Sequence, residues 1–482
     1  IGPGGGLDIW LALIVGATEI RGAEVNPSIP RIVRRFRNYG GPVSDFANVD
    51  IAVAEGRSYL RRETDKYDFI YMALTKTATT ATTCMALIES YVHTVEAFRD
   101  YERHLTDDGA LAFVCQETPL LIREMATALR AMELEGASRK EAVSRIAMVS
   151  VPEERFGAGP YRHLLLVFCK PLNVGRSREM AEQAVASDLV PVFFPGVYEP
   201  QPFGSLWDAG RSIEELLAAW NRQWTGGVGL NLTPCTDDQP FVVDLTWGVP
   251  LPLKRFLECT GVLCVVLVVL AGTLGVRRQV ETAGLETALW PLYFAGLGVG
   301  FMLVEVVLIQ MFTLYLGYPV LSLAAVLFGI LLGAGLGSLL SQRAEARHGA
   351  QVVTMAVAGL VVLALAARLG GPAVFSATLG WNVRLRSLVT LAMVVPLGLV
   401  MGVPFPTGLR MVVDHRGKPL VPWMWAVNGV TSVVGSAAAM ACAKLIGFLG
   451  TLNVGLLVYV VAVVILLGLS WLCHKESGDS IG

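Results

Sequence analysis

A doubly wound α/β domain followed by an all-α polytopic membrane domain is the architecture this sequence predicts. Three observations point to it. Strand-like and helix-like segments alternate through residues 1–170, apolar runs with few charges fill residues 256–473, and a glycine-rich turn opens the chain. Of the 482 residues, 54% are hydrophobic and 16% charged, against about 25% charged in ordinary soluble domains. Most Asp, Glu, Lys and Arg precede residue 256, so the deficit belongs to the second half. A net charge of −2 offers nucleic acid no basic face. The eight cysteines are scattered without a CxxC or other metal-type spacing and read as free, buried thiols.

The first domain is expected over residues 1–170. Ile1–Gly6 is a glycine turn of the kind that follows a buried strand, so a strand upstream of Ile1 is expected. Leu7–Val15 then reads as a helix, Glu19–Val25 as a strand, Pro27–Arg37 as a helix, Val49–Ala54 as a strand and Gly56–Arg62 as a helix. Tyr67–Leu74 is an apolar strand, and Glu89–Leu105 carries apolar residues at helical spacing. An Asp107-Asp108-Gly109 turn leads into a strand at Ala110–Cys115, followed by a helix at Pro119–Met132 and strands at Arg145–Val151 and His163–Cys169. Such alternation predicts a mostly parallel sheet covered on both faces. Residues 171–250, rich in Pro, Gly and Trp, read as an extension or cap with a helix at Ser212–Trp220 and a strand at Phe241–Leu245.

The chemistry-bearing pattern is the turn with its acids. Gly2, Gly4 and Gly6 let backbone approach a ligand, and the helix start supplies free N–H groups. Glu24 ends the next strand, where a carboxylate meets the hydroxyls of a ribose, and Glu55 ends the strand after, beside Gly56-Arg57, where an adenine edge is read. The domain is therefore Rossmann-like. His93 and His104 have no partner spaced for metal binding and read as surface or packing residues. Asp237 and Asp238 fit two roles equally, lining a site mouth or capping a turn.

Gly2–Asp8, Glu24-Val-Asn-Pro27, Glu55-Gly-Arg57 and Tyr67-Asp68 resemble the S-adenosylmethionine-type nucleotide site of spermidine synthases. With Glu89–Phe98, Thr236–Phe241 and Gly300–Glu305, the whole chain resembles bacterial membrane proteins of the spermidine synthase-like kind. The resemblance implies a methyltransferase/spermidine synthase type of Rossmann domain on a multi-pass membrane domain in a bacterial inner membrane. It implies S-adenosylmethionine or decarboxylated S-adenosylmethionine as cofactor, held by Gly2, Gly4, Gly6, Glu24 and Glu55, with Asp68 supporting the site. It also meets a departure. Two aspartates that orient the amine in spermidine synthases correspond here to Ala73 and Lys76, and Thr75–Thr83 holds no acid. That argues against polyamine synthesis and leaves an acceptor poor in amine or borne on a lipid, with the catalytic residue unassigned. Three functions stay open: a group transferase, a catalytically silent accessory subunit of a larger membrane complex, and a transporter with a sensing soluble domain.

The membrane domain, 251–475, is expected to hold about seven spans of about 20 apolar residues each. They are Phe256–Val276, Ala288–Leu316, Val320–Leu340, Val352–Leu369, Leu388–Met411, Trp425–Phe448 and Leu452–Cys473. The second invites a break at Gly296–Gly300 and the fifth at Pro404-Phe405-Pro406. Dense glycines in the third and sixth read as helix-packing positions. Glu305 sits in the middle of an apolar run, with Lys444, Gln310 and Asn428 as candidate partners; ionisable groups there are expensive and usually paired or functional. With the soluble domain cytoplasmic, five loop Lys and Arg fall inside and eight outside, against the usual bias. The lipid bilayer is the expected partner, with other membrane subunits.

Overall fold

The computed structural model describes residues 1–73, 89–157, 162–224, 229–274, 285–343, 345, 348–416 and 420–479. Lys76, Cys84 and the Thr75–Thr83 loop lie outside the described residues, as do Leu74 and the basic residues Arg277, Arg278, Arg347 and Lys418. The chain divides into two units, Ile1–Gly248 and Val249–Gly482.

In the first unit α1 (Leu7–Ile14), β1 (Ile20–Glu24), α2 (Ser28–Arg35), α3 (Arg37–Gly40), β2 (Val49–Val53), α4 (Gly56–Leu60) and β3 (Tyr67–Ala73) follow the expected order. The helix expected over Glu89–Leu105 begins only at α5 (Val95–Arg103). Thr94 is its N-cap, its hydroxyl accepting from the Ala97 N–H (3.2 Å). β4 (Leu105–Cys115) takes in the Asp107-Asp108-Gly109 segment as a bulge: Tyr67 pairs with Leu105 but Phe69 with Ala110. After α6 (Thr118–Leu134) come α7 (Arg139–Ser144), β5 (Ile146–Ser150), β6 (His163–Phe168), α8 (Val174–Ala186), β7 (Val190–Phe193) and α9 (Ile213–Trp224).

The sheet is mixed rather than mostly parallel. β1 and β2 form a parallel pair, and a five-stranded sheet runs β3-β4-β6-β5-β7 with only β3 and β4 parallel. The cause lies in the connections. Among the described residues no α-helix separates β5 from β6, and Val151 N–H donates to Arg162 C=O (2.8 Å), so β6 returns antiparallel. The segment read as a cap supplies β7 to the sheet edge. No strand forms at Phe241–Leu245. Its carbonyls serve a different donor: buried Arg123 on α6 donates to Thr233, Phe241, Val242 and Asp244 C=O at 2.9–3.0 Å. The core lies between α5, α6 and the sheet, with Phe98 and Phe113 stacked at 4.8 Å beside fully buried Tyr101.

The second unit is helical: α10 (Leu251–Leu274), α11 (Leu285–Leu316), α12 (Pro319–Ser341), α13 (Gly349–Thr378), α14 (Val383–Met401), α15 (Pro404–Arg416) and α16 (Val421–Asp479). Among the described residues five helices are long and apolar enough to cross a membrane: Leu289–Leu316, Pro319–Ser341, Gly349–Thr378, Val383–Asp414 and Val421–Leu472. Set against the expected seven spans, one is missing from these five. The first span corresponds to α10, which is not among the five. The sixth and seventh are the two legs of α16, divided by a bend at Gly447 (φ 80°, ψ 169°), a conformation essentially confined to glycine.

Packing shows that this bend is a reversal. Along α11, Gly298 meets Asn428 and Thr431, while Val299 and Met302 meet Gly435, so the first leg of α16 runs parallel to α11. Gly296 meets Ala462, Gly300 meets Tyr459, and Leu303 meets Gly455, so the second leg runs antiparallel. Glycines 296–300 thus seat α16 instead of breaking α11, which continues past them unbroken. The fifth expected span does break, between α14 and α15 at Pro404. α12 and α14 touch through backbone: a Cβ on Gly337 would stand 1.9 Å from Leu399 C=O, and one on Gly402 would stand 2.2 Å from Ala334 C=O. Fully buried Arg386 donates to Tyr315 C=O (2.7 Å), capping the end of α11 with a cation. Large apolar side chains such as Leu369 (81% exposed) and Leu331 (65%) face outward, as a lipid-facing surface requires.

Candidate nucleotide site at the glycine turn

The turn takes the shape its glycines allow. Gly2, Gly4 and Gly6 all have positive φ (67°, 52° and 91°). A Cβ on Gly6 would press on Val43 at 3.0 Å. Gly6 stands at the N-cap of α1 with no side-chain cap. The turn is bonded to both sheets: the Ile1 amino group donates to Tyr71 C=O and Gly2 N–H to Ala23 C=O, each at 2.8 Å.

Glu24 bonds to this turn, and the backbone on either side of Glu55 lies beside it. The buried Glu24 carboxylate accepts from Gly4 N–H (3.2 Å) through Oε2 and from Asn26 N–H (3.0 Å) through Oε1. Glu55 caps α4, accepting from Arg57 N–H (3.0 Å) and Ser58 N–H (2.7 Å). Its neighbours lock it beside the turn. Ala54 N–H donates to Glu24 C=O (3.0 Å), and a Cβ on Gly56 would overlap the Ile1 side chain. Each carboxylate oxygen keeps a further lone pair after these bonds. A third carboxyl joins them. Asp8, in the first turn of α1, has a buried Oδ1 with no hydrogen-bond partner, and burial pushes its carboxyl up.

Asp68 is not part of this group. It is exposed at the start of β3 and accepts from Thr106 Oγ1 (3.0 Å). It lies three residues before Tyr71, roughly 10 Å down the strand from the Ile1 contact. Arg57 does not reach an adenine edge either. It turns inward at 3% exposure, Nε donating to Asp100 (2.6 Å) and Nη1 to Asp237 (2.6 Å). Burial works against its charge, but Asp237 and Asp100 outweigh that and hold the guanidinium above its ordinary range. Asp237 also accepts from Thr94 Oγ1 (2.7 Å), and its N–H donates to Glu96 (2.9 Å), whose carboxyl is pushed up by burial and then by Asp237. This cluster buckles α4, α5 and the 233–244 segment together. Sequence reading found Asp237 but not its role, because its partners lie 143 and 180 residues away.

The histidines pack. His93 Nδ1 lies 2.8 Å from buried Glu124, and the His104 ring nitrogens lie 2.7 and 3.2 Å from Asp100 and Glu63 C=O. His163, at the start of β6, has one ring nitrogen 3.2 Å from Thr118 Oγ1; burial, then Arg162, lowers its pKa to about 4. In the helical unit Glu305 (6% exposed) on α11 and Lys444 (8%) on α16 are both buried in the α11–α16 seam. Asn428 is spent elsewhere, donating to Phe294 C=O (3.0 Å). The register above sets Lys444 roughly 7 Å further along the seam than Glu305.

The class is thus a mixed α/β unit, with an acid-flanked glycine turn at a helix start, joined to a helical unit with five helices apolar enough to cross a membrane. Among solved structures, a crystal structure of spermidine synthase in complex with the transition state analogue AdoDATO matches 36% of this chain and 53% of its own, at 15% identity and a TM-score of 0.26. The match therefore spans about half of that enzyme's length, and a superposition that loose leaves the fold to be judged from its own strands and helices. No family model matches the chain, and no curated protein matches it.

Proposed function

We propose that this chain is a membrane-integrated, spermidine synthase-like protein whose N-terminal unit binds an adenosyl sulfonium, S-adenosylmethionine or its decarboxylated form, and transfers a group from it. One observation carries the reading. Three carboxyls, Asp8, Glu24 and Glu55, gather round a glycine turn at a helix start, and Asp8 has a buried oxygen without a partner. Acids so placed repel a pyrophosphate and favour a cation. Glu24 keeps lone pairs for ribose hydroxyls, and Asp8 suits an ammonium or sulfonium, which would hold it ionised. The bound group would supply the transferable carbon; the chain supplies binding and orientation. Ala73, buried at the end of β3, leaves no carboxylate there to draw in an amine.

Calorimetric titration of the full chain in detergent tests this. S-Adenosylmethionine or its decarboxylated form should bind, and a dinucleotide should not. Asp8→Asn should weaken binding about tenfold or more, the worth of one hydrogen bond to a charge. No heat with either sulfonium would overturn the proposal, and binding without turnover would favour the accessory-subunit reading. The buried Glu305 and Lys444 support a second reading, a cation path through the helical unit.

A further inference from the structure

Helix α1 is apolar on both faces. Ile9 is buried at 3%, while Leu11, Ile14 and Val15 on the other face are 49%, 76% and 82% exposed. Beside it Phe36, between α2 and α3, and Tyr39 on α3 are 57% and 96% exposed. Trp10 joins these two surfaces. Its Nε1 donates to Gly40 C=O (3.2 Å), its ring would meet a Cβ on Gly41 at 2.4 Å, and it packs edge-on against Phe46. The same stretch carries four exposed arginines, Arg31, Arg34, Arg35 and Arg37, and no acid occurs between Glu24 and Asp45. Asp45 offsets only Arg37, at 3.5 Å. In a chain of net charge −2, this is a local excess of positive charge around exposed apolar side chains.

We infer that this face of the first unit docks on the anionic headgroup surface of a bilayer. The chemistry matches both parts of such a surface. Apolar side chains enter the boundary between headgroup and acyl chain, and arginines pair with phosphate. The membrane-spanning helices of the same chain keep a bilayer within reach. A second copy fits worse, because an isologous contact would set the four arginines of one chain against those of the other. The inference stands apart from the nucleotide reading and does not depend on it.

Hydrogen–deuterium exchange on the full chain tests it, in nanodiscs of phosphatidylcholine alone and of phosphatidylcholine with phosphatidylglycerol. Peptides spanning 7–15 and 28–40 should exchange more slowly in the anionic discs, by roughly tenfold for a docking preference of about 1.4 kcal/mol. Added salt should reverse this. The R31Q/R34Q/R35Q/R37Q variant should lose the difference while peptides from β5 keep their wild-type exchange, which shows that the unit remains folded. Ile14→Glu should lose it too. Equal exchange in both discs overturns the inference, as does protection that grows with protein concentration in detergent, which would identify a second copy as the occupant.

Discussion

The seam between α12 and α14 makes a quantitative prediction. Gly333, Gly337, Gly398 and Gly402 interlock there: a Cβ on Gly337 would lie 1.9 Å from Leu399 C=O, on Gly333 2.3 Å from Val395 C=O, and on Gly398 2.6 Å from Ile330 C=O. A carbon needs about 3.3 Å from a carbonyl oxygen. Gly337→Ala must therefore part the helices locally by roughly 1.4 Å, because the obstacle is backbone and cannot swing aside. A gap of 0.5–1 Å already loses about a quarter to a half of the dispersion at each contact. Overpacking costs about 1–3 kcal/mol, and backbone on both sides puts this case near 3, about a hundredfold in the unfolding equilibrium. Gly335 is the internal control, since its Cβ would meet nothing within 4 Å. Gly335→Ala should be neutral or mildly stabilising through helix propensity, by up to about 1 kcal/mol. Titration of the purified chain from mild detergent into dodecyl sulfate, followed by circular dichroism, measures both. Equal midpoints for the two variants would refute the close-contact reasoning.

Other consequences are as direct. Arg57→Ala strands Asp237 without its cation, leaves Asp100 only the longer pairs to Arg61 (3.7 Å) and Arg103 (4.0 Å), and should cost about 3 kcal/mol, seen as a lowered melting temperature; a melting curve unchanged from wild type would deny the cluster its structural role. His163 has a folded pKa of about 4 against 6.5 unfolded. Its contribution to stability is therefore full above pH 6.5 and is lost as pH falls from there through about 4; His163→Gln should flatten melting temperature against pH in that window. Glu305→Gln should abolish any cation flux in reconstituted vesicles, and unaltered flux would remove Glu305 from a transport path.

Much of the local structure was legible in the sequence. Glycine at three positions of one turn announced a backbone that only glycine adopts readily, and the strands before Glu24 and Glu55 were placed by the alternation of short strand-like and helix-like segments. The apolar spans were equally plain, because hydrocarbon tolerates little else. Pairing was not legible. That β6 returns antiparallel depends on the chain pairing back on itself at Val151 and Arg162, and the Phe241–Leu245 stretch is strand-like in composition but gives its carbonyls to Arg123. Asp68 looked like a site residue from its place beside Tyr67, yet strand geometry puts it at the wrong end of β3. Arg57 looked like part of an adenine-reading edge because its two carboxylate partners are supplied by distant segments.

The reversal at Gly447 bears on how this chain enters a membrane. Both legs of α16 lie against α11, so α11 reaches the bilayer more than a hundred residues before the helices that cover it have been made. During that interval Glu305 and the glycine face around it have none of their final neighbours on α16. The pocket around Glu305 is therefore completed only when the last hairpin of the chain has been made.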